Sequence, residues 1–469
     1  MPRPSLLPFT GLVLIATPFA QDSRKLNLPL LRVPTGRVES YRVSRDGQRL
    51  TYVADPGSSG EHELHRAAVR GGEPVVELGS ALPGPRDHDL DRRGERVFFR
   101  ALEGSQIQLK TRRGDAGDAA RTLNGPLAAG GNVLDFLLAP DDARVLYRAD
   151  QELDQRLELY VAATAGGLRS KVSGTLPAGA SVEGGYEFVP NSSSVIFLLQ
   201  LGSNTSELFR GSLNGGQSTR LSSVHSANRV VLDFALTADG QRVVYLADSR
   251  ANDLFELFVV PSDGSSAPVR IGPDLVSGGD VKDFVLTPDG RFAVLAADAE
   301  LRNRVQLYSV ELSSGAWTAL TPGLPDGADV LLDFVASEDG SRVLYRANPD
   351  ARTNTELFVV PVDGSAPARR LGPDLDSGQQ VLGEFQLRGE RVVYLLEDAG
   401  ALGRWITSVE LAPNALPHTL SPGFSLSLLP RFEVGPTRVV FQSEAGGYAS
   451  APIDGSEASV PLALPRDSA

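Results

Sequence analysis

The sequence predicts an all-β protein, a single large β-propeller of four-stranded blades, and three observations support this fold class. A strand with an aromatic or leucine residue at its apolar centre returns nine times, at intervals of 47 to 50 residues. A turn that is often Asp-Gly precedes it, and no segment shows a helical period. Short strands at a fixed period of this length are typical of propeller blades. The nine recurring residues are Tyr52, Phe99, Tyr147, Phe197, Tyr245, Leu295, Tyr345, Tyr394 and Phe441.

One unit, residues 281–321, illustrates the elements in order. Its first turn contains Asp289 and Gly290, which tolerate the left-handed backbone angles of a hairpin. The second strand is apolar throughout, so we expect both of its faces to be covered. The fourth strand is short, and in other units it ends in Arg-Ile or Arg-Leu, which suits an outer edge where Arg discourages further pairing. The predicted strands are 281–286, 291–296, 305–312 and 317–320.

The repeats define the domain organisation. We expect a signal peptide at 1–20, an N-terminal segment at 21–37, the propeller at 38–465 and a tail at 466–469. The first of these has a basic residue, an apolar run and a polar flank in the order of a secretory signal, and it is too short to span a bilayer. Nine blades are favoured and eight is the alternative, because propellers typically have four to eight. Residues 25–28 and 459–462 are both candidates for the strand that closes the ring.

Composition excludes several classes of function. The net charge is -13 and no Lys/Arg-rich run is present, which argues against a nucleic-acid partner, since such binding requires neutralisation of many phosphates. The chain has no cysteine, so disulfides, thiolate metal sites and a cysteine nucleophile are excluded. We expect a soluble monomer without a transmembrane segment, located in a periplasm or outside the cell.

An acidic position recurs beside the residue that closes each first strand. The aligned residues are Ser40, Asp89, Asp135, Glu187, Asp233, Asp283, Asp333, Glu384 and Arg431. In a propeller the first strand is innermost, so seven carboxylates are expected to form a ring around the channel. The mutual repulsion of these carboxylates must be balanced by a stabilising interaction. Either hydrogen bonds and arginine partners supply this interaction, or the channel binds Ca²⁺ through oxygen ligands. No other cofactor is predicted.

A second polar position follows the second strand and precedes a long, charged loop. Its members are Asp55, Asp150, Asp248, Asp298 and Asn348. Turn chemistry explains them, and the alternative is that the loops form a partner-binding face. The five histidines form no convincing metal site: His62 and His65, for example, are three residues apart, a spacing that places them on opposite faces of a strand.

The repeat resembles that of TolB-type propellers over residues 24–465. The similarity is carried by the segments Thr287–Arg291, Gln306–Tyr308 and Ala319–Thr321. It implies a propeller that binds protein or peptide segments at the mouth of its channel. The chain is not identified with TolB itself, because only residues 24–37 precede the first strand, where TolB carries an α/β domain. The same repeat occurs in prolyl-oligopeptidase-like peptidases, but no Gly-x-Ser-x-Gly motif is present here.

Three functions remain open at this point. The leading hypothesis is a non-catalytic, exported scaffold that binds a protein partner or ligand in the cell envelope or outside the cell. The second is a polysaccharide hydrolase or lyase that uses channel carboxylates as acid and base. The third is a structural surface protein.

Overall fold

The structure is a computed structural model. It describes residues 37–46, 48–55, 62–68, 74–82, 87–224, 228–324, 327–349, 354–435, 437–442 and 448–462. The predicted signal peptide, all but the last residue of segment 21–37, and the predicted tail lie outside these ranges.

The described residues form an all-β protein of nine antiparallel sheets, and they contain no helix. Eight sheets have four strands, hydrogen-bonded in chain order, and the remaining sheet has a short fifth strand as well. We number these sheets as blades 1 to 9 along the chain. The fold class predicted from the repeat, a multi-blade β-propeller of four-stranded units, is confirmed. None of the described residues forms a helix with the length and hydropathy that a membrane crossing needs.

Blades 1 to 4 belong to one compact unit, residues 22–220. Blade 1 comprises β1 Arg37–Val43, β2 Arg49–Asp55, β3 Glu63–Ala68 and β4 Val76–Ser80; blade 2 comprises β5 His88–Leu90, β6 Arg96–Glu103, β7 Gln106–Arg113 and β8 Arg121–Thr122. Blade 3 comprises β9 Val133–Leu138, β10 Arg144–Ala149, β11 Glu158–Ala163 and β12 Arg169–Lys171; blade 4 comprises β13 Ser181–Phe188, β14 Ser194–Gly202, β15 Thr205–Ser212 and β16 Thr219–Arg220.

Blades 5 to 9 belong to a second compact unit, residues 221–464. Blade 5 comprises β17 Val231–Leu236, β18 Arg242–Ala247, β19 Glu256–Pro261 and β20 Val269–Ile271; blade 6 comprises β21 Val281–Leu286, β22 Phe292–Ala297, β23 Gln306–Glu311 and β24 Trp317–Ala319. Blade 7 comprises β25 Asp329–Ala336, β26 Arg342–Asn348, β27 Glu356–Pro361 and β28 Arg369–Arg370. Blade 8 comprises β29 Gln379–Arg388, β30 Arg391–Asp398, β31 Gly403–Glu410, β32 His418–Thr419 and β33 Phe424–Ser425; blade 9 comprises β34 Phe432–Val434, β35 Arg438–Gln442, β36 Tyr448–Pro452 and β37 Val460–Leu462.

The fourth strand of blade 9 comes from the C-terminal segment. β37 pairs antiparallel with β36, from Tyr448 opposite Leu462 to Ser450 opposite Val460. Of the two candidates for this position, residues 459–462 therefore supply the strand, and residues 25–28 lie outside the described ranges.

The Asp-Gly hairpins form as the sequence predicts. In blade 6 the Thr287 hydroxyl donates to Asp289 Oδ1 at 2.5 Å, and the N–H of Arg291 donates to the same oxygen at 3.0 Å. Gly290 adopts φ of 68°, a left-handed angle that is strained for most other residues. In blade 7 the hydroxyls of Ser337 and then Ser341 lower the pKa of the equivalent Asp339 to about 2. Side-chain hydrogen bonds therefore hold these turns.

The core of each unit lies between adjacent blades. Val243, Val244 and Tyr245 of β18 are all fully buried, although successive side chains of a strand point to opposite faces. Val244 of blade 5 shares a hydrophobic cluster with Leu295 of blade 6. The Tyr245 ring stacks on that of Phe258, with centroids 5.3 Å apart. The second strand is covered on both faces, and its recurring aromatic residue is a core residue, as predicted.

Candidate functional site at the bulged first strands

The first strand of several blades contains a β-bulge just before the acidic position. In blade 5, Val231 lies opposite Ala247 and Asp233 lies opposite Leu246, which leaves Leu232 without a partner in the ladder. Blades 1, 3 and 6 repeat this one-residue shift, and blades 4, 7 and 8 have a longer irregularity at the same place. Bulges redirect side chains and are frequent near functional sites. The carboxylate position is thus a distinct feature of these strands.

Strand register defines which residues share this position. In each blade one residue of the first strand lies opposite the recurring second-strand residue. We take the residue immediately before it in the chain. These residues are Ser40, Asp87, Asp135, Gly185, Asp233, Asp283, Asp333, Glu384 and Arg431. Asp89 and Glu187 were predicted here, but Asp89 lies opposite Phe98 and Glu187 opposite Ile196. The alignment by aromatic residues was wrong at these two places, because the partner of Phe99 is His88, and the partner of Phe197 is the tyrosine that precedes Glu187.

Three of these carboxylates are held by an arginine from the second strand, which we call the arginine clamp. The three pairs are Arg100 with Asp87, Arg148 with Asp135, and Arg346 with Asp333. Arg148 Nη2 donates to Asp135 Oδ2 at 2.7 Å, and its Nη1 donates to the carbonyl oxygen of Val182 in the next blade at 3.2 Å. The other two clamps make the same bond to the next blade, at Val133 and Val381. A clamp therefore joins a carboxylate of one blade to the first strand of its neighbour.

Sequence reasoning anticipated arginine partners for the acids but did not identify these three. The available signal was an arginine directly after the recurring second-strand aromatic residue, as in Phe99-Arg100, Tyr147-Arg148 and Tyr345-Arg346. Its meaning depends on the strand register, because only the register places that arginine opposite the acid.

Two neighbouring blades have the acid without the clamp. Leu246 and Ala296 lie opposite Asp233 and Asp283, where a clamp would have its arginine. Asp233 Oδ1 accepts the N–H of Phe234 at 2.8 Å, and burial raises the pKa of Asp233. Burial also raises the pKa of Asp333, and the nearby Arg346 partly opposes that effect.

The predicted acids are distributed over both units: Asp89, Asp135 and Glu187 lie in residues 22–220, and Asp233, Asp283 and Asp333 lie in residues 221–464. Asp89 Oδ1 accepts the N–H of Leu90 at 2.8 Å, and burial raises the pKa of its carboxyl. The side chain of Glu384 is outside the described part of the structure. Within that part, no group of three or more His, Asp or Glu side chains is placed to hold a metal ion. Ca²⁺ binding by the acidic set stays a prediction.

The second polar position closes the loop that follows the second strand. Asp298 is fully buried; its Oδ1 accepts the N–H of Asp280 at 2.6 Å and its Oδ2 accepts the N–H of Asn303 at 2.9 Å. Asn303 has φ of 60°. Asp150 and Asp248 make the same two contacts. The interpretation as turn chemistry is confirmed for these three residues, and the side chain of Asp55 lies outside the described part.

We expect Asp298→Ala to lower the free energy of unfolding by about 2 kcal/mol, because it leaves two backbone N–H groups without their acceptor. Asp298→Asn should cost about half as much, because the asparagine can keep one of the two bonds. Asn348 of blade 7 does so naturally, accepting the N–H of Asp329 at 2.6 Å. Urea denaturation and amide exchange at Asp280 and Asn303 measure the two effects. Equal stability of both variants and the parent would contradict this role.

Buried glutamates of the third strand form a further set that sequence reasoning missed. Each pairs with a basic residue of the fourth strand. The pairs are Glu158 with Lys171, Glu207 with Arg220, Glu256 with Arg270, and Glu356 with Arg370. The prediction that the fourth-strand arginine discourages edge pairing omitted this contact. The signal was a Glu-Leu-aromatic triplet with a basic residue 13 or 14 positions later.

A serine–histidine contact is buried between blades 1 and 2. His88 Nε2 lies 3.0 Å from Ser40 Oγ, and His88 Nδ1 lies 2.9 Å from Thr51 Oγ1. His88 is 1 % exposed and Ser40 is 8 % exposed. Burial first, and the charge of Arg42 second, lower the pKa of His88 to about 3. The serine hydroxyl is closed off from a substrate, so this contact contributes to packing between the blades.

No family model matches the chain, and no curated protein matches it. Among solved structures it is similar to a protein assigned as TolB from Agrobacterium tumefaciens, with 20% identity and a TM-score of 0.29 over 49% of this chain and 79% of that one. It is also similar to a prolyl endopeptidase, with 13% identity and a TM-score of 0.41 over 79% of this chain and 53% of that one. The chain thus spans about half the length of that peptidase. The fold assignment depends on the nine sheets themselves: the chain is an all-β protein of four-stranded propeller blades.

Proposed function

We propose that this protein is a non-catalytic scaffold that binds a protein partner, exported to a periplasm or to the cell exterior. The observation that carries the proposal is a set of exposed leucines where the second strand meets the third. They are Leu102 at 65 % exposure and Leu153 at 56 % in residues 22–220, and Leu301 at 53 % and Leu402 at 71 % in residues 221–464. Loops on a rigid scaffold often carry binding residues, and an exposed leucine on such a loop offers an apolar contact to a partner.

Two of these leucines lie on loops that are held rigidly. Leu153 lies between Asp150 and Gln155, whose backbone N–H donates to that aspartate. Leu301 lies in the same way between Asp298 and Asn303. A loop that is ordered before binding loses little conformational entropy when a partner covers it. Asp135 of the first-strand acids, in contrast, already accepts hydrogen bonds from Arg148 of its own blade and from Tyr186 of the next one. The geometry therefore supports binding through the loops.

Affinity capture from an envelope extract tests the proposal, with the purified chain as bait. We expect a partner to be retained by the parent chain and lost by the double variant Leu301→Ser, Leu402→Ser. The matched control is Leu168→Ser: this leucine is 84 % exposed and lies in the turn between the third and fourth strands, at the other end of its blade. Recombinant partner should then bind the purified parent in calorimetry. Equal capture by all three baits would disprove the role of these loops.

An enzyme is the alternative, and Asp233 is the observation that favours it. Burial raises the pKa of this carboxyl, as a general acid requires, and leucine occupies the clamp position opposite it. A polysaccharide panel distinguishes the two functions. Turnover by the parent chain that Asp233→Asn abolishes would establish a hydrolase or lyase.

A further inference from the structure

A surface cavity of about 400 Å³ lies between blades 5 and 6. Its lining includes Trp317, Tyr308, Glu300, Asp274 and Arg270. All of these residues belong to the unit of residues 221–464. The volume is within the range of roughly 300 to 1,000 Å³ that small-ligand sites occupy.

Blade 6 departs from the repeat at this cavity in a coordinated way. In blades 3, 4, 5 and 7 the buried third-strand glutamate pairs with a basic residue of the fourth strand. In blade 6 both partners are replaced. Gln306 occupies the glutamate position, and Ala319 lies opposite Tyr308. In blade 5 the corresponding pair is Arg270 opposite Phe258. Gln306 Oε1 instead accepts the Tyr308 hydroxyl at 2.9 Å. The loss of one ion pair and its long basic side chain opens the edge of this blade.

An aromatic ring forms one wall of the cavity. Trp317 is 48 % exposed, although tryptophan has a large apolar surface to bury. Its ring meets that of Tyr308 at an interplanar angle of 73°, with centroids 5.9 Å apart. Tyr308 is fully buried and therefore holds the indole in place. Part of the Trp317 surface remains available to a ligand.

The polar groups of the wall favour a positive ligand. Arg270 already donates to Glu256 Oε1 at 2.6 Å and to the backbone, and it lies 3.2 Å from Asp274 Oδ1. The carboxylates of Glu300 and Asp274 are exposed, and a carboxylate has about four acceptor sites. Among the residues that line the cavity, Asp274 and Glu300 carry two negative charges against the one of Arg270. The remaining hydrogen-bonding capacity thus belongs to the acids.

We propose that this cavity binds a lysine or arginine side chain from a partner protein, with the cation over the Trp317 ring and its N–H groups on Glu300 and Asp274. The proposal rests on the scaffold function above and names the chemistry of the partner. A cation over tryptophan is favourable, more so beside carboxylates. The net charge of -13 attracts a basic segment over a longer range. Leu301, next to Glu300, gives such a segment an apolar contact beside the cavity.

Tryptophan fluorescence tests this proposal with purified components. The chain has two tryptophans, so Trp405→Phe leaves Trp317 as the only reporter. The probe is the blocked peptide Gly-Gly-Arg-Gly-Gly, and its control has uncharged citrulline in place of arginine. We expect saturable quenching by the arginine peptide alone, with an affinity that falls as salt is added.

Variants identify the site. In calorimetry, Trp317→Leu and Glu300→Gln should each weaken binding of the arginine peptide about fivefold, the factor for a cation–π or ionic contact of this kind. Glu338→Gln, which removes an exposed carboxylate from blade 7, should leave it unchanged. Equal binding of the citrulline peptide, saturation by N-acetylglucosamine instead, or no response to either peptide would each overturn the proposal. None of these outcomes depends on the capture experiment, so the two proposals can fail separately.

Discussion

Replacement of Arg148 by leucine is expected to lower the free energy of unfolding by about 3 kcal/mol. The substitution leaves Asp135 as a half-buried carboxylate without its cation, and it removes the bond to Val182 that joins blades 3 and 4. Breaking a buried ion pair by removing one partner typically costs about 3 to 5 kcal/mol, and the side chains here are 14 % and 19 % exposed. Urea denaturation followed by circular dichroism measures the loss.

Two controls separate the clamp from a general effect of removing arginine. Arg113 lies 2.7 Å from Asp115, the same distance as in the clamp, but both side chains are more than half exposed. Arg113→Leu should therefore change stability little. The double variant Arg148→Leu, Asp135→Ala should recover part of the loss, because the carboxylate is removed with its partner. If the single variant were as stable as the parent, the clamp would have no structural role.

Acidification is expected to destabilise the protein through His88. Its pKa is about 3 in the folded chain against 6.5 when exposed, so the unfolded state binds more protons between these values. Stability therefore falls as the pH drops below 6.5 and this loss is complete below about pH 3. The slope approaches about 1.4 kcal/mol per pH unit, which amounts to about 3 kcal/mol at pH 4.

The His88→Gln variant isolates this effect, because glutamine forms hydrogen bonds but does not titrate. The free energy of unfolding measured from pH 7.5 to 4 should fall more steeply in the parent than in this variant. Replacement of His418, which is exposed on β32, by glutamine provides the matched control and should retain the parent's slope. Parallel curves for the parent and His88→Gln would show that His88 already binds its proton in the folded state.

The local parts of this fold could be predicted from the sequence because their signals are local. The Asp289-Gly290 turn needs only neighbouring residues, and the apolar second strand needs only a cover on each face. The strands predicted for blade 6 begin and end within one residue of the observed ones. The turn role of Asp298 was also recognised, since an aspartate beside a long loop commonly accepts its N–H groups.

The candidate site depended on contacts between distant residues. Asp87, and not Asp89, occupies the carboxylate position because the strand register places His88 opposite Phe99. Glu187 is displaced for the same reason, after an irregularity at Glu183, Gly184 and Gly185. The arginine clamp and the cavity at Trp317 each need the neighbouring blade to be in place. A single strand shows only the arginine that follows its aromatic residue, and the partner of that arginine depends on the register.

The amino-acid sequence by itself therefore determined the number of repeats, the four-stranded blade and its hairpins, because period, apolar pattern and turn residues act within a few tens of residues. Only the tertiary structure decided which acids share a register, which arginines hold them and where blade 6 opens a cavity. Bulges shift the pairing of strands, and contacts between blades join residues that are far apart in the chain. Those relations depend on the folded geometry and are not encoded in the spacing of one repeat.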